Sequence, residues 1–416
     1  MKTLYKNANV ITVVDDKIQR KTDILVEDKK IVRIGQNLED KAAQVVDCSG
    51  LYAIPGIIES HMHLMYGEGS DNGEESCYKV YVAYGVTSMR NMSGNMQYNP
   101  GDIVLDTYRI KQDIEAGNLI APTLVNTSNI LDGDDPYQQT SKIATTIANA
   151  KYALEEALKD GADQIKVYEH LPAEVFDYVC DWGEQHDIKV VGHIPKPVDK
   201  DHFLKRAFTL EHTLSLRLDE ADMIINSDTL WVPTIIVENN YDYLINKKYK
   251  KFLNNDNMRY VYPNTVATWT MIAPTMYLAK DDPAMIDIKI SRSLKKIRRV
   301  YEAGKEVAAG TDYPNPFIYP GISLHDELVF IKKSSKSNYM ALRAGTIMGA
   351  KALELEDRKG TLEVGKDADI VFLKSNPLRN IRNTKKIEKV VLRGRLFNRK
   401  DLDQLLSEAI LNPDYV

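Results

Sequence analysis

The sequence predicts a mixed α/β protein, namely a (β/α)8 TIM barrel with a small β-sandwich domain built from both ends of the chain. A helix-then-strand pattern recurs through the middle of the chain. Residues that are common in metal sites end four of these strands: Lys166, His193, His212 and Asp312. Because a parallel barrel brings the carboxyl ends of its strands to one rim, these side chains should converge there.

The two ends of the chain alternate apolar and polar residues, as strands do. Residues 1–55 contain several such runs separated by turn residues, and a similar set follows residue 361. Neither set has enough strands to bury a face alone. We therefore expect 1–55 and 361–400 to form one β-sandwich, 56–360 to form the barrel, and 401–416 to be a C-terminal tail.

Helices are predicted before the barrel strands. Apolar spacing favours a helix over 141–160 that ends at Gly161. The sequences PAEVFDYVCDWGEQH, KDHFLKRA and SLKKIRRVYEAG are the next three, and the run KKIRR at 295–299 is interpreted as a solvated helix face. The stretch 238–282 breaks this pattern, and we interpret it as an excursion over the barrel mouth with aromatic residues that could line a substrate pocket.

Composition narrows the class of protein. The 416 residues are 44% hydrophobic and 27% charged, which is typical of a soluble globular protein, and the net charge of −5 gives no basic surface for nucleic acid. Cys48, Cys77 and Cys180 form no CxxC motif and cannot all pair, which favours a reducing compartment. With neither a signal-peptide pattern nor a membrane-length apolar stretch, we expect a cytoplasmic protein that binds neither nucleic acid nor membrane; a homo-oligomer remains open.

Six residues form a candidate metal centre: His61, His63, Lys166, His193, His212 and Asp312. His61 and His63 are one residue apart in a strand-like segment, so both imidazoles point to the same side. Lys166 would lie in a desolvated barrel end, where its pKa falls and the neutral amine can take up carbon dioxide as a carbamate. A carbamate resembles a bridging carboxylate, so the set favours two divalent ions, with zinc as the expected metal.

Six motifs, PGIIESHMHL, GVTSMRNM, DQIKVY, VVGHI, LEHT and AAGTD, resemble in order the signatures of the amidohydrolase superfamily. The run ALRAGTIMGAKALELEDRKGTLEVGKDADIVFL resembles the return from barrel to sandwich in that superfamily. Within it, the chain is most similar to the prolidase-like (Xaa-Pro dipeptidase) branch, which is related to imidazolonepropionase. Two positions depart from the pattern: Glu59 and Asn91 stand where Asp is commoner, and neither is a primary ligand in the superfamily.

The resemblance implies a role for each of the six residues. His61 and His63 would bind the more buried ion, His193 and His212 would bind the second, and carbamylated Lys166 would bridge them. Asp312 would bind the first ion and act as general base and then general acid. The implied reaction is hydrolysis of the amide C–N bond of a dipeptide or an N-acyl amino acid by hydroxide formed at the metal centre.

Substrate contacts are harder to predict. Tyr168 and His170 share the parity of Lys166, so they would face inward if the strand continued that far, and either could donate to a substrate carbonyl or carboxylate. A packed Tyr–His pair is the alternative interpretation. Arg90 and Arg217 are interpreted as ion-pair residues rather than carboxylate anchors. His325 is interpreted either as a structural residue or as one that supports the metal ligands without binding the metal.

Two other functions remain open. A cyclic-amide hydrolase or deaminase of the imidazolonepropionase type is one, although such enzymes usually lack a counterpart of Lys166. A non-catalytic scaffold on the same fold is the other, although all six candidate ligands are present.

Overall fold

The computed structural model describes residues 1–64, 73–96, 105–136, 138, 140–245, 252, 255–278 and 290–415, with side chains omitted at 73–74, 273–278 and 414. Its strands are β1 Lys2–Val10, β2 Gln19–Glu27, β3 Lys30–Gly35, β4 Gln44–Asp47, β5 Tyr52–Pro55, β6 Ile57–Met62, β7 Val86–Asn91, β8 Thr123–Asn126, β9 Leu131–Asp132, β10 Lys142–Ile143, β11 Gln164–Val167, β12 Lys189–Gly192, β13 Thr209–Glu211, β14 Leu230–Val232, β15 Ile370–Leu373, β16 Ile387–Leu392 and β17 Arg395–Phe397. Its α-helices are α1 Gly73–Ala83, α2 Thr107–Ala116, α3 Ile147–Asp160, α4 Ala173–His186, α5 Lys200–Arg206, α6 Ala221–Ile225, α7 Ile235–Ile245, α8 Pro263–Leu278, α9 Ile290–Glu302, α10 Ile322–Ser335, α11 Asn338–Ala344, α12 Ile347–Ala352 and α13 Arg399–Glu408.

The two ends of the chain form one β structure. The strand order is β17-β16-β15-β5-β1-β2-β3, with β4 beside β1, and the N-terminal strand β5 pairs antiparallel with the C-terminal strand β15. A bridge between Lys30 and Asp367 joins β3 to the segment before β15, so the sheet curls around a core that includes Tyr5, Ile24 and Phe372. Beyond residue 398 the chain continues as α13. The proposed domain boundaries remain a prediction.

The middle of the chain forms a closed parallel barrel. One set of parallel strands is β6-β7-β8, and the other is β11-β12-β13-β14. The segment 307–313 completes the ring through parallel bridges, which pair Thr127 with Gln164, Trp231 with Val307 and Met62 with Tyr313. The seven strands and this segment form the eight parallel β segments of the barrel wall, which confirms the predicted fold class.

Predicted helices are present, with one shifted boundary. The helix expected over 141–160 begins at 147, because Oγ1 of Thr146 accepts a hydrogen bond from Asn149 N–H and caps its N-terminus. Ile143, which is within the range predicted as helix, lies instead in β10. Gly161 ends the helix with a left-handed φ of 90°, as predicted. The three later sequences form α4, α5 and α9.

The interpretation of 295–299 as a solvated helix face is wrong for Lys296. This side chain is buried, and its Nζ donates hydrogen bonds to the backbone oxygens of Thr213 and Leu216. Lys295, by contrast, is exposed. Charge patterning does not reveal that α9 turns one lysine toward the loop after β13, because this depends on tertiary packing.

Two other findings bear on the composition. Cys48, Cys77 and Cys180 are buried and form no disulfide. Among the described residues, no helix combines the length and apolar character needed to cross a membrane.

Candidate active site

A cavity of about 820 Å³ opens at the carboxyl ends of the barrel strands. Five predicted site residues line it: His63, Tyr168, His193, His212 and Asp312. His61 and Lys166 lie beneath them and are fully buried. The structure therefore brings all six candidate metal-site residues to one rim, as expected from strands that end in parallel register.

His61, His63 and Asp312 form the tightest cluster. Oδ1 of Asp312 lies 3.1 Å from Nε2 of His63 and 3.4 Å from Nε2 of His61, and potential ligand atoms of the three residues lie within 4.8 Å of one another. Gly310 allows this approach, because a Cβ there would lie 2.8 Å from Cβ of His61. The backbone N–H of Asp312 then donates to the His61 oxygen over 2.7 Å.

His193 and His212 stand beside this cluster. Their ring centroids are 4.6 Å apart, and the ring of His212 is also 4.6 Å from that of His61. Nδ1 of His212 is hydrogen-bonded to Oγ1 of Thr234 over 2.8 Å, and Nδ1 of His193 lies 3.5 Å from Oε1 of Glu169. Each ring is thus held through Nδ1, which leaves Nε2 as the nitrogen for a ligand.

Lys166 has an unusual environment for a lysine. It is fully buried, and within the described part of the chain its Nζ has no hydrogen-bond partner; the same holds for Nε2 of His61. Burial lowers the pKa of Lys166 to about 8, although Glu211 and Asp312 favour its charged form. An unpartnered buried amine beside imidazoles and a carboxylate fits a site whose remaining components are metal ions and carbon dioxide.

The histidines are suited to bind cations. Burial lowers the pKa of His193 to about 4, and it also lowers the pKa values of His63 and His212 below the ordinary value. These imidazoles are therefore neutral near pH 7, as metal ligands must be. Neutral imidazoles with a carboxylate are the donor set that zinc-type ions prefer.

Glu211 holds the ring of His61 in place on the side away from the cavity. This residue was not singled out from the sequence. Nδ1 of His61 donates to Oε2 of Glu211 over 2.6 Å, and Arg90 donates to Oε1 over 2.7 Å. Arg90 is fully buried and also bonds to Ser60 O and Gln164, so its interpretation as an ion-pair residue is confirmed. The pair of Glu211 with His61 crosses 150 residues, and no local pattern signals it.

Glu59 and Asn91, the two departures from the motifs of the superfamily, accept hydrogen bonds from residues next to the candidate metal site. The two oxygens of Glu59 accept from N–H and Oγ1 of Thr311, each over 2.8 Å. Oδ1 of Asn91 accepts from the N–H of Leu64 over 3.0 Å. Both residues therefore fix segments that carry His63 and Asp312.

The two candidate substrate residues are placed differently. The ring of Tyr168 lies 4.0 Å from that of His193 and faces the cavity. His170 is not among the residues that line the cavity; its ring bonds to Asp135 O and to Nζ of Lys196. Because β11 ends at Val167, strand parity does not extend to residue 170.

The other two residues considered from the sequence have structural contacts. Arg217 is exposed and pairs with Asp219 and Glu220. His325 is buried and hydrogen-bonded to Oγ1 of Thr384 and to the backbone oxygen of Tyr84.

Helices α7 and α8 form the far wall of the cavity. Tyr241 and Trp269 line it, as expected for aromatic residues of the 238–282 excursion, and Thr234 and Glu238 lie on the same wall. Residues 246–251, 253–254 and 279–282 of that stretch lie outside the described residues. Glu238 was not predicted, because a single glutamate in an irregular stretch carries no positional signal.

A parallel barrel with histidines, a lysine and an aspartate gathered at one rim defines a class of metal-dependent hydrolases. Residues 52–397 match the amidohydrolase family, and the chain belongs to that family. The superfamily predicted from the sequence is therefore confirmed.

Individual relatives are similar to this chain over a short segment or at low sequence identity. A dihydroorotase from Elusimicrobium minutum is 36% identical over 117 residues, which is 27% of this chain and 26% of that protein. Bottromycin amidohydrolase superposes with a TM-score of 0.78 at 20% identity, covering 99% of this chain and 92% of that chain. A Xaa-Pro dipeptidase with bound methionine superposes with a TM-score of 0.71 at 19% identity, covering 96% of this chain and 100% of that chain. At these identities, the solved structures show a shared fold.

Proposed function

We propose that this protein hydrolyses the amide bond of dipeptides, including Xaa-Pro dipeptides, or of N-acyl amino acids, using two divalent ions. The observation that carries the proposal is Nζ of Lys166, which is buried among the imidazoles and Asp312 and has no hydrogen-bond partner among the described residues. A charged lysine there would be unfavourable, whereas a carbamate would complete a ligand set. The structural likeness to a Xaa-Pro dipeptidase supports this substrate class.

Each ion would have its own ligands. His61, His63 and Asp312 would hold one ion, since their donor atoms already lie within 4.8 Å of one another. His193 and His212 would hold the other, and carbamylated Lys166 would be shared. Zinc is the expected metal. When bound, such ions polarise a carbonyl and lower the pKa of water.

The chain's own residues would perform the proton transfers and hold the ligands. The carboxylate of Asp312 lines the cavity, where it can take a proton from the attacking water and deliver it to the leaving amine. Glu211 and Thr234 fix the rings of His61 and His212. Tyr168 can donate a hydrogen bond to a substrate carbonyl or carboxylate from the cavity wall. A cavity of about 820 Å³ has room for a dipeptide.

A substrate panel tests the proposal. The chain, purified and supplied with zinc and bicarbonate, should hydrolyse members of a set of L-Xaa-L-Xaa, L-Xaa-L-Pro and N-acyl-L-amino acid compounds, detected by release of the free amino acid. Chelator treatment should abolish this activity, and zinc should restore it. A metal-loaded chain that leaves the whole panel intact would contradict the proposal.

A cyclic-amide hydrolase is the second candidate, and the similarity to a dihydroorotase favours it. Adding dihydroorotate and hydantoin to the panel separates the two candidates. Ring opening faster than dipeptide hydrolysis would select the cyclic-amide function.

We further propose that the protein works in the cytoplasm on small molecules. The three buried cysteines form no disulfide, which supports a reducing compartment.

A further inference from the structure

One side of α7 faces the cavity next to the candidate metal centre. Thr234, Val237, Glu238 and Tyr241 all line the cavity, and their spacing of three or four residues places them along one helix face. Thr234 directly precedes α7 and bonds to His212 over 2.8 Å. Glu238 lies about one helical turn further, or roughly 6 Å along the axis. Glu238 therefore lines the same cavity as His212 and Asp312.

One carboxylate oxygen of Glu238 accepts no hydrogen bond from the residues that the structure describes. The residue is 3% exposed, and Oε2 accepts a hydrogen bond from Oγ of Ser293 on α9. Its other oxygen, Oε1, is buried and has no hydrogen-bond partner among the residues the structure describes. A buried carboxylate oxygen is stable only when a donor reaches it, and because Glu238 lines the cavity, a ligand bound there can supply that donor.

A cationic donor suits this position best. Lys296 is the cation that influences Glu238, and it opposes the rise in pKa that burial causes. Its Nζ, however, donates to the backbone oxygens of Thr213 and Leu216 rather than to the carboxylate. The charge of Glu238 thus has no hydrogen-bonded cation among the described residues, and an ammonium group would supply both charge and N–H donors.

We propose that Glu238 binds an ammonium group on the acyl half of the substrate, so that the enzyme prefers free dipeptides to N-acyl amino acids and neutral cyclic amides. This inference rests on the proposed function and narrows its substrate class. An α-ammonium nitrogen is two bonds, about 2.5 Å, from the scissile carbonyl carbon, and a lysine side chain carries its ammonium further away. Both sources offer the same chemistry, and the substrates below separate them.

The experiment compares substrates that differ only in this group. L-Ala-L-Pro carries an α-ammonium, N-acetyl-L-Ala-L-Pro has no ammonium, and N-acetyl-L-Lys-L-Pro carries only a side-chain ammonium. In the wild-type enzyme, acetylation of L-Ala-L-Pro should lower kcat/KM at least about tenfold, because the buried carboxylate is left without its partner. Recovery with N-acetyl-L-Lys-L-Pro would show that a side-chain ammonium can replace the α-ammonium at Glu238, and no recovery would show that only the α-ammonium is bound.

Substitutions test whether the preference for ammonium substrates depends on Glu238. Glu238→Gln should lower kcat/KM for the preferred ammonium substrate at least about tenfold and change N-acetyl-L-Ala-L-Pro by less than about threefold. Ser293→Ala keeps the carboxylate and should retain the preference. Glu184→Gln removes one exposed carboxylate on α4 and is the matched control.

Two results would overturn the inference while leaving the proposed function intact. One is equal hydrolysis of free and acetylated substrates by the wild type, and the other is an equal loss for both in Glu238→Gln. If no amide is hydrolysed, the proposed function fails, and titration calorimetry of the same compounds against zinc-loaded protein still decides the role of Glu238. Binding of an ammonium compound that weakens in Glu238→Gln supports that role, and unchanged binding overturns it.

Discussion

The carboxylate of Asp312 can contact both a metal ion and a reacting proton. It lies 3.1 Å from Nε2 of His63, and it also forms part of the cavity wall. Its backbone has a φ of 59°, which is uncommon for a residue with a side chain, and the hydrogen bond to His61 O over 2.7 Å holds it there. A backbone conformation of this kind at a strand end is consistent with a functional position.

Substitution of Asp312 tests proton transfer. Asp312→Asn keeps the size of the side chain and one ligand oxygen, so metal content should fall only modestly. Loss of the acid–base group should lower kcat by about 10²–10⁴, and the weaker metal contact should add to this loss. Steady-state kinetics with elemental analysis measures both quantities. Turnover within a few-fold of the parent would show that Asp312 is not the proton-transfer group.

Lys166 is expected to act through a carbamate rather than through its charge. Lys166→Ala should therefore lose the second ion and nearly all activity, and added short-chain carboxylic acids should restore part of both, because they can replace the bridge. Lys189→Ala, at an exposed lysine on β12, is the matched control. Full metal content and an unchanged rate in Lys166→Ala would refute the carbamate.

At the scale of single elements, α7 links the barrel core to the cavity wall. Its first turn is held by Glu327 on α10, whose Oε1 and Oε2 accept from the N–H groups of Ile235 and Ile236 over 2.9 and 2.8 Å. Burial raises the pKa of Glu327 to about 8, although these two bonds favour its charged form. Thr234 and Glu238 depend on this anchored helix for their positions.

The stability of this anchor should depend on pH. In the unfolded chain Glu327 has its ordinary pKa of 4.5, whereas in the folded chain it holds its proton up to about pH 8. The folded state therefore binds more protons within this window, and the contribution of Glu327 to stability falls as pH rises from about 5 to 8. A glutamine at this position does not ionise. As pH rises from about 5 to 8, the unfolding temperature of the wild type should therefore fall relative to that of Glu327→Gln.

Thermal unfolding of both chains in chelator at several pH values measures this difference, with Glu184→Gln as the control. A difference that stays constant or grows with pH would contradict the assignment of a raised pKa to Glu327.

Sequence patterns predicted which residues gather at the barrel rim, because these residues lie at the ends of strands, where position along the chain fixes both depth and direction. They could not predict Glu211 or Glu238, since the contacts of these side chains are made to distant parts of the chain. The prediction that Lys296 is solvated was wrong for the same reason, because a helical pattern does not show which part of the chain packs against that side of α9. His170 was placed by strand parity, and β11 ends before reaching it.

At the scale of the whole molecule, the two chain ends depend on each other. The N-terminal strand β5 lies between β1 and β15, so removal of the C-terminal strands would expose its edge and the apolar core around Phe372. A truncation that ends near residue 358 should therefore aggregate, as measured by size-exclusion chromatography. A soluble and fully active truncation would contradict the shared β structure.

We expect this barrel rim to bind two ions through six side chains, and the metal content of the protein tests this most directly. Protein reconstituted with zinc and bicarbonate and then freed of excess metal should contain about two ions per chain by elemental analysis. A chain that retains no more than one tightly bound ion under these conditions would contradict the binuclear centre.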